Sequence, residues 1–115
     1  MIIYHNPRCS KSRQTLALLR ENGIEPDIVN YLKTPLSVET IDRLFDKLGD
    51  ASALLMRTKE ARYKELGLKG QSLNKEEMCH ILAENPKLIE RPIVVLGDKA
   101  VLGRPPENVL ILLQD

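Results

Sequence analysis

Cys9 is the residue of this chain best placed for covalent chemistry. It lies in Ile3-Tyr4-His5-Asn6-Pro7-Arg8-Cys9-Ser10-Lys11-Ser12-Arg13, between Arg8 and Arg13, with His5 four positions upstream and two serines just after it. A cysteine attacks as its thiolate, and nearby positive charge or a helix N-terminus favours that form. The run from Ser10 is rich in helix formers, so Cys9 is expected at the mouth of a helix, facing unpaired N–H groups and about half a positive charge. The backbone N–H groups of Ser10, Lys11 and Ser12 would then cradle a tetrahedral oxyanion. Arg8 and Arg13 add positive potential. His5 can either donate to the sulfur or hold the shape of the loop.

Ser12 stands where a dithiol enzyme of the thioredoxin kind carries its second cysteine, so a mixed disulfide at Cys9 would need a reductant from outside the chain. Cys79 has a different setting: mid-helix beside Met78, Ile81 and Leu82, it reads as a packing residue, and His80 as helix surface. No paired Cys-x-x-Cys or Cys-x-x-His spacing is present, and no metal is expected.

These residues need a scaffold, and the element pattern supplies one. Met1 to Tyr4 reads as a strand ended by Asn6-Pro7. Ser10 to Glu21 reads as a helix with Leu16, Leu18 and Leu19 on its apolar face, stopped at Asn22-Gly23. Asp27 to Leu32 reads as a second strand, giving a parallel βαβ opening. Ser37 is an N-cap for a helix with Val38, Ile41, Leu44, Phe45 and Leu48 on one stripe, closed by Gly49. Further helical pieces are expected over Ala53 to Arg57 and Lys59 to Leu66. Asn74 and Glu77 form a capping box for a helix through Ala83.

Ile93 to Leu96 and Lys99 to Leu102 read as a hairpin about Gly97-Asp98. A final helix is expected from Pro105-Pro106 onward, carrying Val109, Leu110, Leu112 and Leu113. The order βαβ, helices, ββα predicts an α/β chain with a thioredoxin-like fold, a mixed four-stranded sheet, and a helical insert between the second and third strands. The expectation is a single domain over 1–115 with the insert at about 37–84.

Composition narrows the function. The chain has 115 residues, 43% hydrophobic and 29% charged, with 17 Lys+Arg against 16 Asp+Glu. A net charge of +1 gives no bulk attraction to nucleic acid or to an acidic membrane. No leader pattern or membrane-length apolar run is read, so a cytoplasmic protein with free thiols is expected, a monomer by default.

The stretch His5-Asn6-Pro7-x-Cys9-x-x-Ser12-Arg13-x-Thr15-Leu16 resembles the signature of the glutaredoxin-dependent arsenate reductases, the ArsC family, and in particular its YfgD-like branch of small bacterial proteins. Tyr31-Leu32-Lys33-Thr34-Pro35, Leu55-Met56-Arg57, Tyr63 to Leu68, Arg91 to Val95 and Gly103 to Glu107 are similar to other blocks of that family, so the likeness covers nearly the whole chain. The resemblance implies a thioredoxin-like fold and an arsenate reductase. Cys9 would be the nucleophile that attacks arsenate, and His5 the residue favouring its thiolate. Arg57, Arg91 and Arg104 would bind the oxyanion and its intermediates. Glutathione and glutaredoxin would be the reductants, with no tightly bound cofactor.

The resemblance also implies a cis Arg91–Pro92 bond. One departure is Ser10-Lys11, where characterised members carry Gly-Thr; lysine adds a cation and the lost glycine stiffens the loop. Two other readings are a regulator docking on RNA polymerase, as the Spx family does, and an oxidoreductase acting on another small oxidised thiol.

Overall fold

A computed structural model of the chain describes residues 1–114. The described residues divide into two compact units, one of residues 1–34 and 91 onward, the other of Pro35–Glu90.

The first unit carries the sheet. Strand β1 (Ile2–Tyr4), helix α1 (Ser10–Glu21) and strand β2 (Asp27–Val29) are followed, after the second unit, by the hairpin β3 (Ile93–Leu96) and β4 (Lys99–Leu102). The strand order is β2-β1-β3-β4. β1 pairs parallel with β2 and antiparallel with β3, which pairs antiparallel with β4. The helical crossover explains the parallel pair, since a tight turn cannot connect parallel strands. In the hairpin, Gly97 takes a φ of 61°, a left-handed value that suits glycine at the first of two loop residues. This is the α/β, thioredoxin-like arrangement, with helical chain inserted between β2 and β3.

The core of this unit joins Ile3, Leu16, Leu19, Val94, Val109 and Leu112. Burying each such aliphatic side chain contributes about 1.5–3 kcal/mol. α1 ends as its sequence indicates: Gly23 has a φ of 78°, and the N–H groups of Gly23 and Ile24 donate back to Arg20 and Leu19 carbonyls.

Two elements differ from the sequence expectation here. β2 stops at Val29 instead of reaching Leu32, because Asn30 starts a turn: its side-chain oxygen accepts from Leu32 N–H at 3.2 Å and its carbonyl from Lys33 and Thr34. The final helix is a 3₁₀ helix, Pro106–Leu113. Its buried residues are Pro106, Val109 and Leu112, a spacing of three that matches three residues per turn.

The second unit contains α2 (Val38–Leu48), a 3₁₀ helix Gly49–Leu54, α3 (Ala61–Glu65), α4 (Lys75–Glu84) and a 3₁₀ turn Pro86–Leu88. Ser37 caps α2 by accepting from Thr40 N–H at 3.1 Å. Asn74 and Glu77 make the reciprocal capping box on α4. α2 buries Ile41, Leu44, Phe45 and Leu48, and α4, packed on it, buries Cys79 and Leu82.

Of the helix expected over Ala53 to Arg57, only Ala53 and Leu54 are helical, as the end of the 3₁₀ helix Gly49–Leu54. Met56 is instead bridged to Ile89, with Arg57 N–H donating to the Leu88 carbonyl and Glu90 N–H to the Leu55 carbonyl, both at 2.7 Å. Leu55, Leu88 and Ile89 are almost fully buried, so tertiary pairing outweighs local helix preference. Among the described residues no helix is long and apolar enough to cross a membrane.

Candidate active site

Cys9 is the N-cap of α1, with extended backbone (φ −92°, ψ 124°), and its carbonyl accepts the first helical bond from Arg13 N–H at 3.0 Å. An oxygen side chain would normally cap here; Cys9 makes no side-chain cap bond, so its sulfur sits at the helix mouth beside N–H groups that have no intrahelical acceptor. Cys9 is buried, with 8% of the residue exposed.

The preceding loop is tied down at four points. Cys9 N–H donates to the Asn6 carbonyl, Arg8 N–H to the Asn6 side chain, and Arg13 Nη1 to the Pro7 carbonyl, all at 2.9–3.0 Å. Asn6 N–H donates to Ser12 Oγ at 3.0 Å.

Ser12 is fully buried, and its Oγ is hydrogen-bonded to His5 Nδ1 at 2.6 Å. Its hydroxyl is therefore committed to the loop, leaving its backbone N–H as what it offers an anion. His5 Nδ1 thus faces the Ser12 hydroxyl. Burial, and then the charges of Arg20 and Arg13, hold the His5 imidazole below its ordinary value. A neutral imidazole brings no positive charge to a thiolate. It fixes the path from β1 into α1.

The charge beside the sulfur comes from the far end of the chain. Arg104 Nη1 donates to Cys9 Sγ at 3.8 Å and to the Arg91 carbonyl at 3.3 Å. Arg91 buries Nε and Nη1. The unit thus gathers Cys9, Ser10, Lys11, Ser12, Arg91 and Arg104, while Ser10 and Lys11 stay exposed. The Arg91–Pro92 bond is cis, and so is Arg104–Pro105, which was not expected. Arg57 belongs to the second unit, where Glu60 pairs with its Nη1 and Glu90 with its Nε at 3.5 Å.

Sequence reasoning passed over Asn6, which shapes the loop through both side chain and backbone. Its signal was the Asn-Pro pair, a turn former with a mechanism. Cys79 is a free thiol, as is Cys9, and is 1% exposed. Burial, reinforced by Asp42, pushes its thiol up, away from reactivity.

A thioredoxin-like sheet whose first helix is capped by a thiol, with arginine beside the sulfur, defines a class of thiol-based redox and transfer proteins. Within it, the chain belongs to the ArsC family, which matches residues 4–112. It is 58% identical over 109 residues to a protein of Escherichia coli K12 named uncharacterized protein YfgD, covering 94% of this chain and 92% of that one. It is 51% identical over 114 residues to a protein of Haemophilus influenzae named arsenate reductase, covering 98% of each. Among solved structures, arsenate reductase from Vibrio cholerae superposes with a TM-score of 0.90 at 52% identity, covering 96% of this chain and 94% of that one.

Proposed function

We propose that this chain is a glutathione- and glutaredoxin-dependent arsenate reductase. The observation that carries the reading is Cys9 at the α1 N-cap with Arg104 Nη1 3.8 Å from its sulfur, and the relatives named arsenate reductase support the substrate. Helix N-terminus and guanidinium both stabilise negative charge, first on the thiolate and then on the oxyanion it attacks.

Arsenate, a tetrahedral oxyanion, sits on the N–H groups of Ser10, Lys11 and Ser12 with Arg104 and Arg91 around it. The Cys9 thiolate forms a sulfur–arsenic bond and one arsenic–oxygen bond breaks, the oxygen leaving as water after protonation. Glutathione adds to the bound arsenic with loss of a second water. A glutaredoxin thiolate then attacks the glutathione sulfur. The resulting mixed disulfide accounts for two electrons, arsenic falls from the pentavalent to the trivalent state, and water cleaves the Cys9–arsenic bond to release arsenite.

His5 acts through Ser12, as holder of the loop. Arg57 is assigned an oxyanion-binding role by family likeness, which requires exchanging a Glu60 or Glu90 partner for substrate. Such reductants belong to the cytoplasm.

The test is arsenate-dependent NADPH oxidation coupled through glutathione reductase and glutaredoxin. Turnover by the wild type and none by Cys9→Ser is expected. Wild-type activity no higher than that control overturns the arsenate assignment.

A further inference from the structure

Gly103 directly follows β4 and immediately precedes Arg104. It is buried, and its α-carbon is boxed in: a Cβ there would lie 2.6 Å from Thr15 Oγ1, 2.9 Å from Thr15 Cγ2 and 2.8 Å from Pro92 Cγ. No real Cβ tolerates such approaches. Thr15 is fully buried and β-branched within α1, and Pro92 is a closed ring, so neither presents a flexible end that could swing aside. Glycine is required here by space.

The same point is hydrogen-bonded. Thr15 Oγ1 donates to the Gly103 carbonyl at 3.2 Å as well as to the Lys11 carbonyl at 2.8 Å, and Gly103 N–H donates to the Pro92 carbonyl at 2.9 Å. Three segments meet: α1, capped by Cys9; the residue after Arg91; and the residue before Arg104. We infer that Thr15 and Gly103 are positioning residues, whose contact sets how close Arg104 comes to the Cys9 sulfur. A methyl group at Gly103 must push the Arg104 segment off α1, lengthening the 3.8 Å approach. The inference rests on Cys9 being the reactive thiol, whatever oxyanion it meets.

Alkylation of the Cys9 peptide, followed by mass spectrometry with neutral iodoacetamide and anionic iodoacetate, reads the charge beside the sulfur. Arg104→Gln is expected to lower the iodoacetate-to-iodoacetamide rate ratio about fivefold, the effect of one charge near 4 Å in water. Gly103→Ala should lower it in the same direction, and the double variant should fall no further than Arg104→Gln alone, because a displaced arginine has little left to lose. Adding Thr15→Ala to Gly103→Ala removes two of the three close approaches and should restore part of the ratio.

If Gly103→Ala fails to fold, Thr15→Val keeps the shape, removes the donated hydrogen bond, and should give a smaller change of the same sign. A wild-type ratio in a folded Gly103 or Thr15 variant, a wild-type ratio in Arg104→Gln, or additive losses in the double variant overturns the inference. Failure of the arsenate assignment looks different: the ratios respond as expected while no arsenate turnover is seen.

Discussion

The two cysteines of this chain are both buried and both free, yet their surroundings oppose each other. Cys9 caps a helix, so N–H dipoles point toward it, and Arg104 reaches its sulfur. Cys79 lies in the second turn of α4, where backbone N–H groups are spent on the helix, and burial together with Asp42 disfavours its thiolate. Burial alone therefore does not distinguish the two settings. What separates them is whether the groups that exclude water also supply positive charge and unspent donors.

The sharpest break of this contrast is to remove each sulfur in turn. Cys9→Ser is expected to cut arsenate turnover on the order of 10³-fold or more, the scale seen when a nucleophile is lost. Cys79→Ala should leave turnover within about twofold while lowering stability by about 1 kcal/mol through the lost packing. Equal losses of activity in steady-state assays would erase the distinction.

Next in size is Ser12→Ala. It strands the buried His5 Nδ1 and Asn6 N–H, at a cost of about 1–3 kcal/mol in urea unfolding. An unchanged midpoint would show that the Ser12 hydroxyl does not hold the Cys9 loop.

His5 supplies a pH test. Its folded-state value lies below the 6.5 of the unfolded chain, so as pH falls the unfolded state takes the proton first. The stability conferred by neutral His5 is complete above 6.5 and is lost as pH drops from 6.5 through the lower folded value. Urea midpoints measured across that window should decline in the wild type, and the decline should be smaller in His5→Gln. Parallel declines would remove His5 as the cause.

The smallest effect sharpens the contrast from the Cys79 side. Asn74→Ala removes the α4 capping box, worth about 1 kcal/mol, and should raise labelling of Cys79 about fivefold through local opening. Cys9 labelling should not change, and a matching rise there would mean that the whole chain loosens.

Much of the scaffold was legible because its signals are local. Ser37, Gly49, the Asn74–Glu77 box and Gly23 mark helix ends within a turn of the residues they cap. The end of β2 was misread past a local turn at Asn30, while the other misread stretches are those where distant partners decide. Residues 55–57 have helix-forming side chains but pair with 88–90, and the C-terminal apolar stretch fits period three as well as 3.6 until the core selects Val109 and Leu112.

In the site, the helix mouth around Cys9 could be read from neighbouring residues. Ser12 bonded to His5, Arg57 held by Glu60 and Glu90, and Gly103 pressed on Thr15 could not, because a hydrogen bond or a close approach leaves no periodic trace.

The sequence by itself determined that a cysteine begins α1, since cap and propensity signals act over a few residues. Only the tertiary structure decided which charge meets that sulfur. Arg104 lies 95 positions away from Cys9 in sequence, and it is brought there by β1 pairing with β3, β3 with β4, and Gly103 packing against α1. Charge at a thiol depends on distance in space, and chain connectivity leaves that distance open until the sheet has formed.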